Sequence, residues 1–407
     1  MATSWAFRRV FLLLFIIFLV LTTISTLYMY MDGALDPYIH DYTRPPSTSS
    51  FKNVVEYPSP EYFDSSNSPN RSSETQLSLG FISKTYIISL PHRTDRRTDM
   101  SRLMDLLEFG KEGEDWVYHD GTYSNTSLIG DLMKQVQKQR IIGNEDYSEA
   151  DTIKLPFAWP EDASSNYSSS DRDIPPAGAE LWYSQPPPDV ALPPTPMVCA
   201  EDDFRLTKYT PSMLQWRFLT PERVAAYHSH LTAVRKIVDD NAKAPTEGKD
   251  RVALILEDDV DMEVDIEARL EILLPMLPND WDVLYLGFCW STETTHSPLT
   301  SPYLAPLKNL LYPSFQPRCL HAYALSPRGA VKFLTHLRHT QFAYGRSVDL
   351  ATEWLVWEKR VKSFTVVPPV IIQRKVSKTD ITLEGGAVWK EKLEEGVLGT
   401  KESGNEV

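Results

Sequence analysis

Five apolar residues in a row, Val252-Ala253-Leu254-Ile255-Leu256, run straight into three carboxylates, Glu257, Asp258 and Asp259. A short unbroken apolar run of this kind reads as a buried central strand. Similar runs recur at Lys84–Leu90, Trp281–Gly287 and His321–Leu325, and again from Phe364 to Ile372, where Pro368-Pro369 interrupts. Helical stretches alternate with them. One follows Pro91 through Leu107, one begins at Thr220-Pro221, one spans 264–277, and one runs from Ser326-Pro327 to Leu337. Thr and Ser before Pro are N-cap signals with proline at the first helical position. After Pro221, Val224, Tyr227, Leu231, Val234 and Val238 recur at helical spacing and mark one buried face. The alternation predicts an α/β fold, an open, mostly parallel sheet flanked by helices.

The charge balance narrows the function. With 41 Lys+Arg against 55 Asp+Glu the formal net charge is −14, which argues against a broad grip on a phosphate backbone, so no nucleic-acid partner is expected. The three cysteines, Cys199, Cys289 and Cys319, allow at most one disulfide, with the third buried or free, and no CxxC pair suggests zinc. No Gly-rich phosphate loop, G-x-S-x-G elbow or HExxH occurs.

The ends depart from the average. Val10 to Met31 are 22 positions without a charge, long enough to cross a bilayer at about 1.5 Å per residue. Arg8 and Arg9 precede the span, which predicts a cytoplasmic tail (1–9), a transmembrane signal anchor (10–31) and a lumenal remainder, a type II topology. A cleaved signal peptide would show a shorter apolar core and a small-residue cleavage site. Residues 32–79 read as a stem, 80–385 as the folded domain and 386–407 as a charged, frayed tail. Within the domain, 122–220 reads as an irregular Pro/Ser-rich insertion, since 155–221 alone holds 12 prolines. Three N-x-S/T sequons, at Asn70, Asn125 and Asn166, fall beyond the anchor.

Chemistry concentrates after the central strand. Three consecutive carboxylates at the end of an apolar strand repel one another and resist burial unless a cation sits among them. In open α/β sheets ligands bind at that edge. Such a site suits a hard divalent cation that keeps waters and takes phosphate oxygens, while solvated acids capping the next helix are the simpler alternative. His228 and His230 fit either packing or catalysis. Arg93, Arg96 and Arg97 fit either phosphate pairing or a solvated helix start, and Asp349 fits a helix cap.

The motifs in order resemble glycosyltransferase family 25, the bacterial lipooligosaccharide glycosyltransferases and collagen β-galactosyltransferase relatives. They are Tyr86-Ile87-Ile88-Ser89-Leu90 with Arg93 and Asp95-Arg96-Arg97, His119-Asp120-Gly121, Ser229-His230-Leu231, and Leu254-Ile255-Leu256-Glu257-Asp258-Asp259-Val260. Trp281 to Gly287, Ala322 to Ser326 with Gly329-Ala330, Val348-Asp349, and Pro368-Pro369 with Gln373 complete the series. Ser89 stands where the family usually has asparagine, and Ala225-Ala226 replaces a Gly-Cys pair.

The resemblance implies a GT-A-like, UDP-sugar-dependent hexosyltransferase, with UDP-galactose as donor and inversion at the anomeric carbon. It implies Mn²⁺ or another divalent cation on Glu257 and Asp259. Arg93, Arg96, His230, Glu257 and Asp258 would lie around the nucleotide, and Asp349 would be the catalytic base. The acceptor would be a glycan or glycoprotein hydroxyl, and the place a Golgi or endoplasmic reticulum membrane with the catalytic domain lumenal. Two readings compete: a catalytically inactive lumenal sugar-binding glycoprotein of the same fold, and a phosphohydrolase, which needs a second metal cluster that the sequence does not offer.

Overall fold

In the computed structural model the chain divides into two units, Met1–Pro69 and Asn70–Val407. The described residues all lie in the second unit: 81–142, 196–200, 209–243, 251–289, 293–299, 307–338, 342–374 and 392–399. The expected anchor, the stem, Asn70 and Asn166 lie outside them. No helix among the described residues is long and apolar enough to cross a membrane.

The elements follow in the order β1 (Ile82–Ser89), α1 (Thr94–Leu106), β2 (Trp116–Asp120), α2 (Ser127–Ile142), α3 (Pro221–Lys243), β3 (Val252–Glu257) and β4 (Val260–Met262). After them come α4 (Ile266–Leu273), β5 (Val283–Gly287), β6 (Leu310–Pro313), β7 (Ala322–Leu325), α5 (Pro327–Leu337), α6 (Val348–Trp357), β8 (Ser363–Val367) and β9 (Ile371–Gln373). Seven strands form one sheet in the order β2-β1-β3-β7-β5-β8-β6, while β4 and β9 form a separate two-stranded ribbon. Strands β1, β2, β3, β5 and β8 point the same way, and β6 and β7 run against them. The sheet is therefore mostly parallel in direction, with a reversed strand between β3 and β5.

Strand alternation builds two cores. Tyr86, Ile88, Ala253, Ile255, Val283, Tyr285, Tyr323 and Leu325 face one side, under α2, α3, α5 and α6. Ile87, Leu254, Leu256, Leu284, Leu286, Ala322 and Ala324 face the other, under α1 and α4. Central strands buried on both faces must be apolar throughout, which is why these runs lack polar alternation. The five residues marking the α3 face are all buried. Ser326 caps α5 by accepting the Gly329 N–H at 3.0 Å. Gly329 is needed there because a Cβ would collide with the Asp282 carbonyl.

Two expectations are corrected. The region read as an irregular insertion opens on a helix, α2, because Ile129, Leu132 and Val136 bury one of its faces in the first core. The tail read as frayed holds 392–399 against the domain, with Val397 and Leu398 packed on the second core. Strand β6, flanked by proline at its end, went unread.

Candidate functional site at the carboxyl edge

The carboxyl ends of the five co-directed strands gather at one edge. The chain leaves β1 toward β2 and returns to β3 on the other flank of β1, so β1 and β3 border a topological switch point, the usual crevice for ligands in open α/β sheets. Glu257 ends β3 there, and Asp258 and Asp259 form the turn into β4.

Three elements place side chains on these acids, and a fourth, β7, backs one of them. From the first turn of α1, Arg96 donates to Asp258 Oδ1 at 2.8 Å and lies 3.1 Å from Asp259 Oδ2. From α3, His230 Nε2 stands 3.3 Å from Glu257 Oε1, and its Nδ1 is 3.1 Å from the Tyr323 hydroxyl of β7. From β9, Gln373 Nε2 donates to both Asp259 oxygens at 3.1 Å and to Glu257 Oε2 at 3.4 Å. Arg97, one residue past Arg96, instead holds the β1 end by donating to Ser89 O at 3.1 Å and Asp120 at 2.6 Å.

Electrostatics separates the acids. Burial, compounded by the Glu257 charge, pushes Asp259 up to about 7. Burial also lifts Asp258 above its usual range, against the pull of Arg96. Burial works against an ionised Glu257 too, but the His230 hydrogen bond and charge, with His321 and Arg96, hold it below the ordinary value. A proton in this group therefore belongs on Asp259, whose carboxylate is short of positive charge.

The sequence candidates sort as follows. Arg96, His230, Glu257, Asp258 and Asp259 meet. Arg93 forks onto Asp95 at 3.0 and 2.9 Å, and its like charge repels that of Arg96. His228 is a packing residue, bonded to the Tyr344 hydroxyl at 2.7 Å. Asp349 lies in the first turn of α6. Because α6 leads into β8, that turn stands at the same edge of the sheet, but among the described residues no hydrogen bond or ion pair joins its carboxylate to Glu257–Asp259. Its charge instead bears on Glu353, which burial, only partly offset by Arg318, pushes up to about 7. The sequence candidates omitted Gln373 and Tyr323. Both stood inside motifs, but nothing in their spacing shows that β9 folds back beside β3.

The donor set is all oxygen apart from His230, which suits a hard cation that keeps several waters. Among the described residues no group of three His, Cys, Asp or Glu side chains is arranged to hold a metal.

A disulfide joins Cys289, past the end of β5, to Cys319, with Cα atoms 5.5 Å apart, and Cys199 is buried outside that bridge. No protein-family model matches the chain, and no curated protein matches it either.

Proposed function

We propose that the chain is a glycosyltransferase that moves a hexose, galactose by family resemblance, from a UDP-sugar to a glycan or glycoprotein hydroxyl. The observation that carries the reading is the run Glu257-Asp258-Asp259 at the switch point, three adjacent carboxylates that share the guanidinium of Arg96 and the amide of Gln373. A buried acid cluster left short of cation is costly and is kept where a charged ligand completes it. The mostly parallel sheet and the order of family 25-like motifs along it agree with a GT-A-like arrangement.

Glu257 and Asp259 would hold Mn²⁺ or a similar ion, which when bound neutralises the charge of a departing diphosphate. The chain's own residues prepare the rest. His230 keeps Glu257 ionised and oriented through Tyr323. Arg96 ties α1 to the Asp258-Asp259 turn and so holds that turn beside the end of β1. Asp349, at the same edge, is the candidate base for the acceptor hydroxyl, the role inversion requires.

A lumenal site agrees with the Cys289–Cys319 bridge, since disulfides persist in oxidising compartments, and with the exposed sequon residue Asn125. The membrane anchor at 10–31 would place the domain on a Golgi or endoplasmic reticulum membrane.

The test is UDP release by the full chain in detergent, offered a panel of UDP-sugars with Mn²⁺. Release that falls roughly a hundredfold or more in Asp259→Ala is expected. No release from any donor sinks the transferase. UDP binding without turnover supports the second reading, a catalytically inactive sugar-binding glycoprotein, which the existing Arg96 and Gln373 contacts to the acids favour.

A further inference from the structure

The segment 392–399, read from its charges as a loose tail, is bound to the domain through its backbone, and two buried acids do the binding. Glu263, 2% exposed, accepts the Glu394 N–H at 2.8 Å on one oxygen and the Glu395 N–H at 3.0 Å on the other. Asp261, 3% exposed, accepts the Leu398 N–H at 3.0 Å. Backbone bonds complete the seam: Val264 N to Glu395 O and Val397 N to Met262 O, each 3.0 Å. Arg269 braces it by pairing with Glu263 at 3.1 Å and Glu394 at 2.9 Å.

The strand so gripped is β4, which begins at the residue after Asp259. Its other edge pairs with β9, Val260 opposite Gln373 and Met262 opposite Ile371. The Arg374 N–H returns to the Asp259 carbonyl at 2.5 Å. The strap therefore bridges the outer edge of β4 at Glu263 and Gly396, and the β4–β9 ribbon so held starts directly after Asp259 and carries the amide that bridges Asp259 to Glu257. A two-stranded ribbon this short is not stable by itself.

We propose that residues 392–399 are a strap that sets the position of Asp259 and Gln373, with Glu263 the positioning residue that latches it. The structural claim stands apart from the transferase reading, and its effect on nucleotide binding rests on that reading.

Two substitutions in the full chain test it by different physics. Glu263→Gln keeps the shape but turns an acceptor into a donor facing a backbone N–H. Gly396→Val leaves every charge in place and drives a Cβ to 2.5 Å from Asp261 Oδ2. Hydrogen exchange followed by mass spectrometry reads the strap and residues 371–374 separately. In both variants we expect both segments to exchange at least about tenfold faster, with α5 unchanged as the folding control. A strap that exchanges quickly while 371–374 keeps its wild-type rate overturns the proposal, as does a strap unaffected by both substitutions.

UDP affinity with Mn²⁺ is the second readout, expected to weaken about fivefold in Glu263→Gln. In a Gln373→Ala background the same substitution should then add little, because contacts acting through one residue are not additive. Full additivity would mean that the strap does not act through Gln373. A wild-type chain that binds no UDP removes the transferase reading, while the exchange result still decides the strap.

Discussion

Two buried aspartates sit at opposite edges of the same sheet, and they are treated in opposite ways. Asp282, just before β5, is fully buried and accepts from Arg328 Nε at 2.8 Å, Lys332 Nζ at 3.0 Å and the Lys362 N–H at 2.8 Å. Two cations and a backbone donor serve one charge. Asp259 shares the single guanidinium of Arg96 with Asp258, shares the amide of Gln373 with Glu257, and follows both of those acids directly in sequence. The first carboxylate is complete within the fold. The second is short of positive charge, and that difference separates an acid that holds structure from one suited to a ligand.

The contrast breaks most sharply at Asp282. Asp282→Ala removes the buried carboxylate on which Lys332, Arg328 and the Lys362 N–H converge, so we expect a loss of about 3–5 kcal/mol, read by urea unfolding. Asp259→Asn should move stability the other way. The amide carries no charge to desolvate and no repulsion with Glu257, so a gain of about 1 kcal/mol at pH 8 is expected, together with loss of Mn²⁺ binding by electron paramagnetic resonance. A destabilised Asp259→Asn chain would mean that its carboxylate is as structural as that of Asp282.

What the sequence disclosed follows the same division. Val252–Leu256 and Val283–Leu286 are legible because burial on both faces demands unbroken apolar residues, and α3 is legible because one face must repeat at helical spacing. The direction of β7 was not. Ala322–Leu325 has the same composition whichever way it runs, and only the path from β5 through β6 back to the centre reverses it. The strap was illegible because Leu393-Glu394-Glu395 reads as solvated charge, whereas the contacts that seat it are backbone N–H groups on Glu263 and Asp261. At the site, Glu257 to Asp259 were legible from their place after an apolar run. Gln373 was not, since its role depends on a ribbon that forms outside the main sheet.

The most graded expected effect is the slope of stability with pH, and it sharpens the comparison without changing the burial of either acid. Asp259 and Glu353 are both held near 7 in the folded chain, by burial first, well above their ordinary values of 3.8 and 4.5. A carboxyl whose value is raised by folding binds its proton more tightly in the native state. Its contribution is therefore fully present below its unfolded value and is lost as pH rises through the folded one. Their share of the stability, without added metal, should fall between about pH 4 and 7 and flatten beyond, while that of His119, which burial lowers to about 4, rises over the same range. Asp259→Asn and Glu353→Gln should each remove part of the slope, and the double variant should remove most of it, because no contact joins the two groups. Thermal unfolding at half-unit pH steps measures this, with Mn²⁺ and UDP as the second condition. Ligand that binds ionised Asp259 should cancel the Asp259 share of the slope and leave the Glu353 share untouched. A slope that survives both substitutions would place the titrating group elsewhere and deprive Asp259 of the cation shortage that distinguishes it from Asp282.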